Sequence, residues 1–483
     1  MDHRIVGELR AIVGMHAVLT AAESLRTYET DGLNAYRTRP GVVVLPETTE
    51  QVQAIVQLCH RERIPFVARG SGTGLSGGAV PVADGVLIGL ARMNRILDLD
   101  VANGRIVVQP GVINLDVSRR VAGTGLFYAP DPSSQQVCTI GGNVAENSGG
   151  AHCLKYGFTV NHVLGVKLVL PSGDLVTLGG ATLQHPGYDL LGVVVGAEGT
   201  LGVVVEVTLR LVRLPEAIQM VMAAFATTDD AGAAVSAIIA EGILPAAIEM
   251  MDHFAIVATD DAVHAGYPRD AGALLLVELD GAPIEVAHEV EEVAAICRAH
   301  GASELRIAAT AEERARFWKG RKAALPAMGR LSPGYYVQDG VVPRSALPTV
   351  LRRIAALSAE AGLRVANVFH AGDGNVHPLV LFDPAVPGET ERATELAGQI
   401  LLACIAAGGS ITGEHGVGLD KKAYLPKMFT DADLDTMARL RCALDPASLS
   451  NPGKVFPTPR LCGERPGPYR PHPLVEAGLA ELF

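Results

Sequence analysis

The sequence has no excess of basic charge, no long apolar run and no paired-cysteine motif. Lys and Arg number 40 against 52 Asp and Glu, giving a net charge of −12. With no basic stripe to neutralise a phosphate backbone, nucleic acid is excluded as a partner. No run reaches the roughly 18 uninterrupted apolar residues that span a bilayer. The most apolar stretch, Leu190 to Val207, is broken by Glu198 and by Gly192, Gly196, Gly199 and Gly202. The first residues, MDHRIVGELR, carry charges where a secretory signal would be apolar. A cytoplasmic protein is expected, held at a membrane only through partners. The cysteines (Cys59, Cys138, Cys153, Cys297, Cys404, Cys442 and Cys462) are scattered, with no CxxC or CxxCH. An iron–sulfur cluster, an attached haem and a zinc ribbon therefore lack ligands, and the thiols are expected reduced and buried. Any electrons this chain collects must leave to another molecule.

What is present is ample core. Hydrophobic residues make up 48% of 483 and charged residues 19%, enough for two or three packed units and against disorder. Residues 1–40 carry a short helical pattern (Val6, Leu9, Ile12, Val13). From Gly41 the pattern is α+β: the strand GVVVLP, then Thr48 with Gln51 as a capping box before a helix whose Val52, Ile55, Val56 and Cys59 share one face, then the strand IPFVARG. Asn103-Gly104 and Ser172-Gly173 each lie between strand-like runs and predict hairpins. After Pro215, alanine-rich helices (231–241, 285–300, 346–361, 391–407) alternate with strands such as ALLLVELD and RVANVFH. The expected division is 1–40 helical, 41–215 a first α+β domain, 216–456 a second, and 457–483 a proline-rich tail.

RGSGTGLSGG (69–78) contains GxGxxG at Gly72, Gly74 and Gly77. The dinucleotide fingerprint needs a helix next, but AVPVADGVLIGL reads as strand and turn, so a Rossmann nucleotide site is disfavoured. The glycines still let successive N–H groups converge on an anion, with Ser71, Thr73 and Ser76 as further donors. TIGGNVAENSGG (139–150) and GAEGTLGVVVEVTLR (196–210) read as further glycine turns, and APDPSS (129–134) as a rigid turn. Several such segments suit a large flat cofactor better than one phosphate.

In the second half, HAGDGNVH places His370 and His377 at the ends of a tight turn, and GGSITGEHGVG offers Glu414 and His415 side by side. Two histidines and a carboxylate form a common facial set for a catalytic divalent ion, which this residue choice leaves open as Zn, Mn or Fe. Glu414 and His415 can serve one site only if the backbone kinks, for which Gly413 and Gly416 are suited.

The glycine segments resemble the FAD-binding domain of the vanillyl-alcohol oxidase (PCMH-type) flavoproteins. HAGDGNVH with GEHGVG resembles the C-terminal domain of FAD-linked 2-hydroxy-acid dehydrogenases, and stretches such as YAPDPSS, GGNVAEN and HCLKYG suit the glycolate-oxidising branch. The resemblance covers about residues 40 to 460. It implies an α+β chain: a two-lobed PCMH-type FAD-binding domain followed by a C-terminal cap domain. It implies an anion loop of Gly70, Ser71, Gly72, Thr73 and Gly74 with Ser76, and later FAD contacts from Pro130, Ser134, Gly141, Gly142, Asn147, Gly150, Glu198, Val203 and Asn451. Some members attach flavin through a histidine in this loop. Thr73 stands about there, implying non-covalent FAD. His370, His377 and Glu414 become metal ligands, His415 the general base, and Arg321 the partner of the substrate carboxylate. Relatives handling 2-hydroxyglutarate carry a lysine where SPGYYVQDG has none, which favours a small monocarboxylate, glycolate or D-lactate. The branch also implies iron–sulfur and second flavin-type partner subunits. A non-catalytic flavin subunit is the rival reading, and the retention of His370, His377 and Glu414 opposes it.

Overall fold

The computed structural model describes residues 1–182 and 187–457. Its first sheet orders the strands Val18–Leu19, Val42–Val44, Val86–Gly89 and Phe66–Arg69, the last three mutually parallel. Parallel strands need a crossover, and the helix Thr49–Glu62 supplies the one from Val42–Val44 to Phe66–Arg69, which flank Val86–Gly89, burying Val52, Ile55, Val56 and Cys59 as its periodicity predicts. Thr48 caps this helix by accepting from the Gln51 amide at 3.3 Å, while Gln51 Oε1 reaches back to the amide of Glu47 rather than of Thr48.

A second sheet is antiparallel throughout, ordered Ile96–Asp100, Arg105–Val108, Val203–Arg210, Val163–Val169, Leu175–Gly179. Both expected hairpins form, and their positive φ falls on the glycines, +61° at Gly104 and +92° at Gly173. In Val203–Arg210, buried and half-buried residues alternate, the period of a strand with one face on a core.

A third, larger antiparallel sheet begins at Glu304–Ile307 and continues through Ala217–Phe225, Ala273–Gly281, Ala247–Asp252 and Val365–His370. The helices Thr228–Ala240, Pro283–Ala299, Leu347–Ala361 and Glu389–Ala406 pack Val235, Val290, Ile354 and Ile400 into one core. The helices His253–Val263 and Ala311–Ala327 pack Ile256 and Phe317 into another.

Two expectations need correction. TIGGNVAENSGG is not a glycine turn: Ile140–Glu146 is an α-helix, capped by Thr139 Oγ1 and ended by Asn147 at φ +52°. Its glycines serve close packing, since a Cβ on Gly141 would stand 2.6 Å from Pro110. The thiols are not all reduced and buried either. Cys59, Cys138, Cys153, Cys297 and Cys404 are free and buried, but Cys442, half-buried at the end of the helix Asp431–Leu444 and not in a core, is disulfide-bonded. Cys462 and the proline-rich tail beyond Pro457 lie outside the described residues. No helix of the described residues is long and apolar enough to cross a membrane.

Candidate active site

A single cavity takes its wall from the glycine-rich loop, the helix at 140–146, the 197–204 turn and, from the second half of the chain, Leu325, Glu414 and His415. Gly70, Ser71, Gly72, Thr73, Gly74, Ser134, Gly141, Gly142 and Glu198 all contribute to it. Among the described residues the main-chain N–H groups of Gly70 to Gly74 have no acceptor, which is what an anion cradle requires. Arg69, not singled out in the sequence, stands beneath the loop. Its guanidinium fills the space a Cβ on Gly72 would need, and it is held by the carbonyls of Tyr28 and Ala79, each at 3.3 Å. A phosphate-bearing cofactor fits this loop.

Six expected contacts lie behind the wall instead. Ser76 is fully buried, with its Oγ unpartnered and its carbonyl accepting from the amides of Leu419 and Asp420. Pro130 lends its carbonyl to Asn114, Val203 is a core strand residue, and Asn147 Oδ1 accepts from the Val160 amide. Gly150 is needed for close approach, because a Cβ there would stand 2.6 Å from the backbone of Asp131. Asn451, at φ +43°, donates to the carbonyls of Gly78 (2.9 Å) and Glu198 (2.6 Å) and accepts from Lys454. It ties the chain's return to the loop.

The 370–377 turn brings its two imidazoles to 5.1 Å between ring centroids. Glu414 Oε1 lies 3.3 Å from His370 Nε2 and 3.4 Å from His377 Nε2. Ligands held about 2.1 Å from one ion stand roughly 3.0–3.4 Å apart, so the set fits a divalent metal. His377 Nε2 is buried with no hydrogen-bond partner, a donor atom left over for such an ion. His370 Nδ1 is occupied by Glu249 Oε1 at 2.7 Å, and Glu249 Oε2 accepts from Arg321 Nε at 2.6 Å. Glu249 was missed from sequence, although a carboxylate in the middle of the apolar strand AIEMMD was a signal. Arg321 is thus already ion-paired through Nε.

His415 stacks on His377 at 5.0 Å with the planes 9° apart, its Nε2 3.8 Å from Glu414 Oε1. Burial, with His377 and Lys421 nearby, pushes its imidazole down to about 4 against the opposing pull of Asp339 and Glu414, so it is neutral at pH 7. Burial opposes charge on Glu414, yet the surrounding imidazoles hold its carboxyl down at about 2. Asp339 organises the kink that lets both residues face the cavity. Its buried carboxylate accepts from Thr412 Oγ1 (2.6 Å), from the amides of Gly413 and His415 (each 3.0 Å) and from Lys421 Nζ (3.2 Å). Gly416 turns at φ +82°, whereas Gly413 is small to admit Asn375, 2.6 Å from its absent Cβ. Glu198 locks the loop to the first half of the chain by accepting from the amides of Val417 (2.6 Å) and Gly418 (2.7 Å).

Residues 40–179 match the FAD binding domain, and residues 214–455 match the family of FAD linked oxidases, C-terminal domain. Together they define a two-part flavoprotein oxidoreductase. Similar proteins include the glycolate oxidase subunit GlcD of Escherichia coli strain K12, 52% identical over 92% of this chain and 90% of that protein. GlcD of Bacillus subtilis is 40% identical over 89% and 92%, and a D-lactate dehydrogenase of Anaerostipes hadrus 33% over 91% and 94%. The 4-ethylphenol oxidase of Gulosibacter chungangensis shares the fold, with TM-score 0.79 at 18% identity over 94% of this chain and 97% of that one. The chain belongs to the FAD-linked oxidases of PCMH type.

Proposed function

We propose that this chain oxidises a small 2-hydroxy acid, glycolate foremost, to the 2-oxo acid, with non-covalently bound FAD as the immediate electron acceptor and a divalent Zn, Mn or Fe ion assisting. The observation that carries this reading is that Glu414 and His415 stand in the wall of the same cavity as the glycine loop. FAD is held by residues 41–215 and the substrate and ion by residues 216–456. The flavin supplies a hydride acceptor, and the ion a Lewis acid for the substrate hydroxyl.

The chain's own residues do the rest. The free amides of Gly70 to Gly74, with Arg69 beneath, receive the pyrophosphate. His370, His377 and Glu414 hold the ion. Glu249 occupies His370 Nδ1 and so aims Nε2 at it. His415, neutral at working pH, accepts the hydroxyl proton. Arg321, with Nε committed to Glu249, offers its Nη groups to the substrate carboxylate.

The lack of lysine between Ser332 and Gly340 and the apolar Leu325 in the wall support a small monocarboxylate. D-lactate is the second candidate, supported by the similarity to a D-lactate dehydrogenase. With no cluster motif in the sequence, the electrons pass to iron–sulfur and second flavin-type subunits of a glycolate oxidase complex, with the chain cytoplasmic and peripheral at the inner membrane. The test is an anaerobic titration of the purified protein with glycolate, each lactate enantiomer and 2-hydroxyglutarate, following flavin absorbance. Bleaching by glycolate or D-lactate is expected. Bleaching by 2-hydroxyglutarate alone overturns the substrate assignment.

A further inference from the structure

Glu146 has no part in the chemistry above, yet it stands in the wall of the same cavity as His415. It is the last residue of the helix Ile140–Glu146. Its Oε2 is sealed from solvent and has no hydrogen-bond partner, and it occupies the space a Cβ on Gly416 would need. The remaining surface of this half-buried side chain opens on the cavity. A second carboxylate crowds it: Glu146 and Glu198 both lie within 3.3 Å of the points where Cβ atoms on Gly78 and Gly416 would fall. Glu198 is fixed by the amides of Val417 and Gly418 and has Lys454 and Lys421 nearby, whereas Glu146 has no such donor. Asp31 adds a third acidic group, and Lys421 opposes their effect only in part. Two buried carboxyls this close cannot both ionise, and the one without donors keeps its proton. Burial and Glu198 push the Glu146 carboxyl well above its ordinary range.

A protonated carboxyl is a hydrogen-bond donor, and the open side of this one faces the flavin cavity at its chemical end, against the loop that carries His415. We infer that Glu146 is a neutral acid that donates a hydrogen bond to the isoalloxazine ring of the bound flavin. It is a positioning residue for the cofactor. The inference rests on the flavin reading above. Because hydride uptake adds an electron pair to the ring, a donor there favours the reduced form and raises the reduction potential.

The holoprotein and its Glu146→Gln and Glu146→Leu variants are compared by visible flavin spectrum from pH 6 to 10, by reduction potential and by FAD affinity of the apoprotein. Glu146→Leu is expected to shift the reduction equilibrium about tenfold toward oxidised flavin, ~30 mV for a two-electron couple, and to bind FAD several-fold more weakly. Glu146→Gln keeps a donor and cannot ionise. It is expected to hold the potential near wild type while losing an alkaline spectral step that wild type shows. If the step persists in Glu146→Gln, or if Glu146→Leu retains wild-type potential and spectrum, the inference is overturned. If Glu146→Leu does not fold, the Gln variant alone decides. A wild-type protein that takes up no FAD would instead overturn the flavin reading itself.

Discussion

In the proposed reaction His415 and Glu414, neighbours in sequence, have different tasks, and the difference comes from what surrounds each. His370, hydrogen-bonded to it, holds Glu414 in its charged form, while burial keeps His415 neutral. His415→Ala is therefore expected to keep FAD and to slow flavin reduction about 10²–10⁴-fold, read by anaerobic stopped flow. Reduction at the wild-type rate would remove His415 from its role. Glu249→Gln leaves His370 Nδ1 without its charged partner and should weaken metal binding about 10–100-fold, measured by competition with a chelating dye. Asp31 sets a pH dependence. Burial raises its carboxyl from 3.8 to about 6, so the folded protein retains a proton that the unfolded chain releases. That contribution is complete below about 4 and lost as pH rises through about 6, at most about 3 kcal/mol. Asp31→Asn is expected to raise the thermal midpoint at pH 7.5 and to lose that advantage by pH 4.5; an equal shift at both values contradicts the burial argument. The histidines were legible because two distinctive motifs fell within 50 residues. Asp339 was not: it lies in SPGYYVQDG, a segment informative in sequence only for the lysine it lacks, and a lone aspartate before a glycine carries no local mark of burial.

At the scale of elements, the 412–418 loop is held from two sides. Asp339 gathers the Thr412 hydroxyl and the amides of Gly413 to His415, and Glu198 gathers those of Val417 and Gly418. Asp339→Asn leaves Lys421 buried without its counter-charge, so a loss of about 3–5 kcal/mol is expected, seen as a fall in unfolding midpoint together with loss of flavin reduction. Replacing Lys421 by Met in the same chain should recover much of the stability and none of the reduction. Recovery of both would mean that the anchoring of the loop does not matter to the chemistry. The long amphipathic helices and both hairpins were legible, because burial period and turn residues agree there. The helix at 140–146 was not, because Gly141 and Gly142 lower its propensity, Gly141 while serving contact with Pro110.

At the scale of the molecule, the glycine loop and the Glu414–His415 pair, far apart in sequence, share one cavity, and the segment around Asn451 returns to the first half of the chain to hold the two together. Asn451 bonds the carbonyls of Gly78 and Glu198, and the amide of Asn451 reaches Phe66. This closure explains why Asn451, expected at the cofactor, stands behind the wall: long-range ties of this kind have no periodicity to read. On the proposed reading, flavin reduction depends on an ion held by the far half of the chain. The decisive measurement is single-turnover flavin reduction by glycolate or D-lactate before and after complete metal removal, with bound FAD quantified in both samples. Reduction that ceases while FAD stays bound, and returns on adding Zn, Mn or Fe, is the expected result. Undiminished reduction in protein free of metal would contradict it.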